Sequence, residues 1–168
     1  QVDRAQDMSK IGFGGGCHWC TEAVFQSLRG VTSVQQGFIR STAPNDSYSE
    51  AVIVTFDPAI IPLDILTQVH LRTHASTSKH KMRGKYRSAV YTFSDEQATE
   101  LRTLIAEQQG DFDAPLVTQT LPFVAFKASD ARFQNYYATD SERPFCTTYI
   151  DPKLTKIRRD FGAYAKAT

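Results

Sequence analysis

Between a short apolar segment and the start of an expected helix stands the run Gly14-Gly15-Gly16-Cys17-His18-Trp19-Cys20. A cysteine delivered by a glycine-rich turn to a helix N-terminus meets unpaired backbone N–H groups and the positive end of the helix dipole, which favours its thiolate. Cys17 therefore reads as a nucleophile. Most free cysteines are small buried hydrophobes instead, but a core residue has no need of three preceding glycines. Zinc would need more ligands: C-x-x-C supplies two, no second pair with ligand spacing follows, and His18 lies inside the first pair. A thioredoxin-like redox pair, Cys17 with Cys20, also sets C-x-x-C at a helix start and is the more serious rival.

The remaining composition narrows the field. A chain of 168 residues with 41% hydrophobic and 22% charged side chains has the size and balance of one soluble domain. No apolar run approaches the roughly 20 residues that cross a bilayer, so no membrane partner is expected. A net charge of +1 gives no reason to expect nucleic acid, although five Lys and Arg side chains gather between Lys79 and Arg87. Three cysteines make no disulfide framework and suit redox or catalytic use in a reducing compartment, the cytoplasm by default or an organelle. Gln1 to Asp7 is polar and lacks the apolar core of an export signal. We expect residues 1–9 to be a disordered N-terminal segment and 10–168 a single catalytic domain, monomeric, with no cofactor and no metal.

The elements that must position the cysteines are legible from spacing. Lys10 to Phe13 predicts a strand, and Thr21 to Leu28 a helix with Val24, Phe25 and Leu28 inward, ending at Gly30. Val34 to Phe38 suggests a strand, Arg40 to Ser49 a polar loop, and Ala51 to Phe56 a central strand buried on both faces, with Glu50 at its mouth. Leu63 to Thr73 is expected to be helical and Ser76 to Lys85 a basic loop. Ser88 to Phe93 reads as a strand, and Ser94-Asp95-Glu96-Gln97 as a capping box that opens a helix stopped by Gly110. Val117 to Phe126 predicts one edge strand tolerant of Pro122, Asp130 to Tyr137 a short helix, and Asp151-Pro152 the N-cap and N1 of a last helix. Together these favour an α+β fold, an open, mixed two-layer sandwich.

Four segments, GFGGGCHWCTEAVF, SEAVIVTFDP, KYRSAVY and PFCTTYIDPKL, occur in an order that resembles the methionine sulfoxide reductase A family, over about Ile11 to Ile157. The resemblance implies a two-layer mixed α/β sandwich like the ferredoxin-like plait, reduction of methionine S-sulfoxide, free or protein-bound, and thioredoxin as reductant. It makes Cys17 the nucleophile that takes the sulfoxide oxygen and becomes a sulfenic acid. Glu50 corresponds to the family's acid, and desolvation at the mouth of a buried strand would favour its neutral form. Tyr86 corresponds to a tyrosine that helps hold the sulfoxide oxygen, and Trp19 to the indole that pockets the substrate methyl.

His18 stands where the family usually has Phe, and an imidazole there could lower the Cys17 pKa or alter substrate preference. Lys81 stands where an acidic loop residue is usual, with His80 or a water as the substitute. Tyr48 is the nearest candidate for the family's second tyrosine. Cys20 and Cys146 are both candidates for the resolving thiol, acting singly or in series. Beside this reading stand a generic thiol–disulfide oxidoreductase using Cys17 and Cys20, and a catalytically weakened paralogue that binds oxidised methionine.

Overall fold

The computed structural model describes residues 8–166. β1 (Ser9–Gly14) runs through the glycine turn into α1 (His18–Gln26), and β2 (Val31–Arg40), β3 (Ser49–Phe56) and α2 (Leu63–Thr73) follow. Beyond a basic loop holding a 3-10 turn at Lys81–Gly84 come β4 (Ala89–Thr92) and α3 (Asp95–Gln108). The chain closes with β5 (Gln119–Pro122), β6 (Ala125–Ala128), α4 (Tyr136–Thr139), a π turn at Cys146–Ile150 and α5 (Asp151–Asp160). The expected disordered segment falls, up to Asp7, outside the described residues, whereas Ser9 already belongs to β1.

The fold is mixed α/β, with one six-stranded sheet in the order β5-β4-β1-β3-β2-β6. Every pairing is antiparallel except β4 with β5. β3, whose β-branched run is buried throughout apart from Thr55, lies between β1 and β2. Its alternate residues serve two cores, as the two-residue period of a strand requires. Val52, Val54 and Phe56 join Ile11, Phe13 and Val90 against the helices, while Ala51 and Ile53 join Ile39, Ala89 and Tyr91 on the other face. On the helix side Phe25 of α1 stacks on Phe13 with ring centroids 4.5 Å apart, and Leu66, Leu101 and Ile157 bring in α2, α3 and α5. Gly30 ends the α1 excursion at φ 89, a left-handed conformation that favours glycine. No helix among the described residues is long and apolar enough to cross a membrane.

Three expectations are corrected. The single edge strand over 117–126 is two strands at opposite edges of the sheet, joined by Phe123 and Val124. Phe123 N–H donates to Thr92 O (2.9 Å) and Val124 N–H to Arg40 O (3.1 Å), so two residues bridge from the end of β4 to the end of β2 and the sheet must curl. The helix over 130–137 divides into a 3-10 turn at Ala131–Phe133 and α4, because Asn135 turns left-handed at φ 55. Asp151 does not cap α5 but begins it, directly after the π turn, and its carboxylate accepts the Tyr137 hydroxyl at 2.5 Å.

Candidate active site

The glycine turn that delivers Cys17 is held from α2 and from the basic loop. His70 Nε2–H donates to Gly14 O (2.8 Å), and Arg83 Nη1 donates to Gly15 O (3.1 Å). Gly15 lies flat against the His74 imidazole, where a Cβ would approach His74 Cδ2 to 2.4 Å, so no other residue fits. His74 is fixed in turn by its Nδ1–H to His70 O (2.5 Å) and by the Ser88 hydroxyl at Nε2 (2.8 Å). Burial pushes the His70 imidazole well below its ordinary range and His74 down to about 4, so both are neutral supports at neutral pH.

Cys17 is half-buried at the entry of α1. Its pKa is lowered, first by a hydrogen bond from the Cys20 thiol and then by the backbone N–H groups of Trp19 and Cys20, against desolvation and the charge of Glu50. The backbone N–H groups of the helix entry act in the direction expected from sequence, and the neighbouring thiol adds to them. Cys20 is shifted the opposite way, because its thiol proton is used on Cys17, it is buried, and it faces the Cys17 charge. Cys146 is fully buried with the helix-side core, its thiol 3.6 Å from Asp140 O, and it too acts on Cys20. Cys20 is thus the thiol that interacts with both others.

Glu50 enters from β3 and is only 6% exposed. Its backbone N–H donates to Lys85 O (2.9 Å), so strand and basic loop are tied beside it. Oε1 accepts the His18 backbone N–H at 3.2 Å and faces His18 Nε2 at 3.4 Å, while Lys85 Nζ lies 3.7 Å from Oε2. The same ammonium lies 5.1 Å from the centre of the Tyr86 ring and has its pKa raised by Tyr86 first and then by Glu50 and Cys17. These contacts join Cys17, His18, Glu50 and, through Lys85, Tyr86. Lys81 is exposed, and His80 accepts Met82 N–H to cap the 3-10 turn, so the cation beside Glu50 is Lys85.

Trp19 stacks on Tyr136 at 4.1 Å with 10° between the planes, edge-on to Phe145 and tilted against Phe133. Its indole N–H is buried with no partner among the described residues. His18 is buried, 6% exposed. Tyr48 is 44% exposed and associates with the Arg40 guanidinium at 6.0 Å. Sequence reasoning missed Glu22 and Lys153. The Glu22 carboxylate accepts from Asn135 N–H (2.9 Å), Tyr136 N–H (3.0 Å) and Gln36 Nε2 (3.0 Å), and so fastens α4 against α1 beneath Trp19. Lys153 of α5 donates to Thr73 O and lines, with Cys17, Cys20 and His74, a cavity of about 60 Å³. An acidic residue inside an amphipathic helix signalled Glu22; nothing local signalled Lys153. Among the described residues no three His, Cys, Asp or Glu side chains converge as a metal site.

A glycine-delivered thiol of lowered pKa, a partner thiol and a buried carboxyl can together carry out oxygen transfer to sulfur followed by disulfide formation. Comparison with known proteins agrees. The profile of the family described as peptide methionine sulfoxide reductase matches residues 9–165. A peptide methionine sulfoxide reductase from Deinococcus radiodurans is 38% identical over 167 residues, covering 89% of this chain and 81% of that protein. Among solved structures, reduced Mxr1 from Saccharomyces cerevisiae superposes with a TM-score of 0.76 at 21% identity, over 89% of this chain and 94% of its own. Mxr1 in complex with Trx2 superposes with a TM-score of 0.62 at 24% identity, over 81% and 88%. This chain belongs to the peptide methionine sulfoxide reductase family.

Proposed function

We propose that this chain reduces methionine sulfoxide, the S epimer, free or in proteins, through Cys17. The Cys17 thiolate attacks the sulfoxide sulfur; the S–O oxygen passes to the cysteine with one proton from Glu50, leaving methionine and a cysteine sulfenic acid. Tyr86 and Lys85 hold the oxygen as it gains negative charge, and Trp19 with its aromatic neighbours shapes the pocket for the methyl group. The Cys20 thiol then attacks the sulfenic acid, releasing water and forming the Cys17–Cys20 disulfide. Cys146 attacks Cys20, freeing the Cys17 thiol, and the Cys20–Cys146 disulfide passes its oxidation to a thioredoxin dithiol. The net change is one sulfoxide and one dithiol to methionine, a disulfide and water.

The observation that carries this reading is a half-buried Cys17 at the entry of α1 with the buried Glu50 beside it, its Oε1 accepting the backbone N–H of the next residue, His18, at 3.2 Å. We also read the frame as a ferredoxin-like plait, supported by the β-α-β-β-α-β order through β4 and the antiparallel neighbours β4-β1-β3-β2. The test is methionine release from each separated sulfoxide epimer with dithiothreitol or thioredoxin. Product from the S epimer, abolished by Cys17→Ser, is expected. No product from either epimer overturns the reading, and insulin reduction in its place would mark a general thiol–disulfide oxidoreductase.

A further inference from the structure

The His18 ring is oriented by a group that can only accept. Its Nδ1 lies 2.7 Å from Gly37 O, so Nδ1 carries a hydrogen whatever the state of the ring. The ring is edge-on to Phe38 at 5.1 Å, which fixes its plane. Nε2 then lies 3.4 Å from Glu50 Oε1, with both side chains almost fully buried. A lone pair on Nε2 facing an ionised carboxylate would set two acceptors against each other between two almost fully buried side chains. One proton between them removes the conflict, as imidazole with carboxylic acid or as imidazolium with carboxylate.

We propose that His18 is a positioning residue that shares one proton with Glu50, so that the pair, and not the carboxyl alone, holds the proton delivered to the sulfoxide oxygen. The imidazole gives the proton a second place to rest beside the carboxyl, so loss of His18 removes one of the two groups that can hold it. Delivery leaves an unprotonated imidazole and a carboxylate, and a proton from water restores the pair before the next turnover. The other groups facing the pair are the Lys85 ammonium, which favours the carboxylate from the basic loop, and Cys17 at the entry of α1, whose thiolate the Glu50 charge opposes. β6 sets exposed Lys127 opposite Phe38 in register, and β2 contributes the Gly37 carbonyl and the Phe38 ring.

This inference rests on the proposed sulfoxide chemistry, and the test separates the two. The kcat/KM for the S-sulfoxide is measured across pH for wild type, His18→Gln and His18→Phe. Glutamine can keep hydrogen bonds to Gly37 and Glu50 but cannot take up a proton. The ratio of kcat/KM at about pH 8 to that at about pH 6 is expected to fall about tenfold in both variants. A residue that merely filled space would lower both values together, and glutamine would largely restore them. A wild type that turns over, with the ratio unchanged in both variants, overturns the shared proton and leaves the function standing. A wild type that forms no methionine at any pH overturns the function and the inference with it.

Discussion

Cys20 N–H donates to Cys17 O at 3.1 Å in the first turn of α1, and the two thiols it brings together are driven apart in acidity, Cys17 downward with the Cys20 thiol as the largest cause and Cys20 upward. The attacking sulfur is made available as thiolate while its partner keeps a proton until it is needed. Removing the Cys20 thiol should therefore raise the Cys17 pKa. In a Cys146→Ser background, the pH midpoint of Cys17 alkylation by iodoacetamide is expected to rise in Cys20→Ala. A midpoint that stays put would mean that the N–H groups of Trp19 and Cys20 suffice alone.

The same arrangement orders the later steps. Cys20 interacts with both Cys17 and the buried Cys146, so Cys20→Ser should stop the chemistry at the sulfenic acid. One equivalent of sulfoxide without reductant should then leave a dimedone-reactive Cys17 in Cys20→Ser and a Cys17–Cys20 disulfide in Cys146→Ser, both read by peptide mass spectrometry. A Cys17–Cys146 disulfide formed at wild-type rate in Cys20→Ser would reverse the order.

What was legible in the chain was what neighbours in sequence decide. The glycine turn, the limits of α2 and the Ser94 cap of α3, where Gln97 N–H meets Ser94 Oγ at 3.1 Å, depend on a few adjacent residues. β5 and β6 were run together because only the curl of the sheet, not local propensity, sends Phe123 to β4 and Val124 to β2. Glu50 could be singled out by its motif, but its contact with His18 requires α1 to cross β2 and β3 in one register. The aromatic neighbours of Trp19 come from Phe133, Tyr136 and Phe145, more than a hundred residues later, and no spacing rule reaches that far.

Glu22 shows what such a distant contact contributes. Its carboxylate is the shared acceptor for Asn135 N–H, Tyr136 N–H and the Gln36 amide, all shielded from water on at least one side. Truncation to alanine strands these donors, and Glu22→Ala should lose about 2–4 kcal/mol of unfolding free energy in urea. Glu22→Gln, which retains one acceptor, should lose less. Because Tyr136 carries the Trp19 stack, the alanine variant should also shift Trp19 fluorescence, the one tryptophan in the chain. Unchanged stability in both variants would mean that α4 is held by its aromatic packing alone.

Stability should also fall on mild acidification, because the two histidines behind the glycine turn are buried neutral. His74 takes up its proton at about 4 in the fold, against 6.5 ordinarily, and His70 is shifted in the same direction. Between those values the unfolded chain binds a proton that the folded one does not, so the stabilising contribution is complete above 6.5 and is lost as pH falls towards 4. The loss from His74 alone is at most on the order of 3 kcal/mol. Urea unfolding at about pH 7.5 and about pH 5 should give a clear drop for the wild type and a smaller drop for His74→Gln, which cannot take up the proton but can still bond to His70 O and Ser88. Equal drops in wild type and variant would move the acid sensitivity away from the His74 ring.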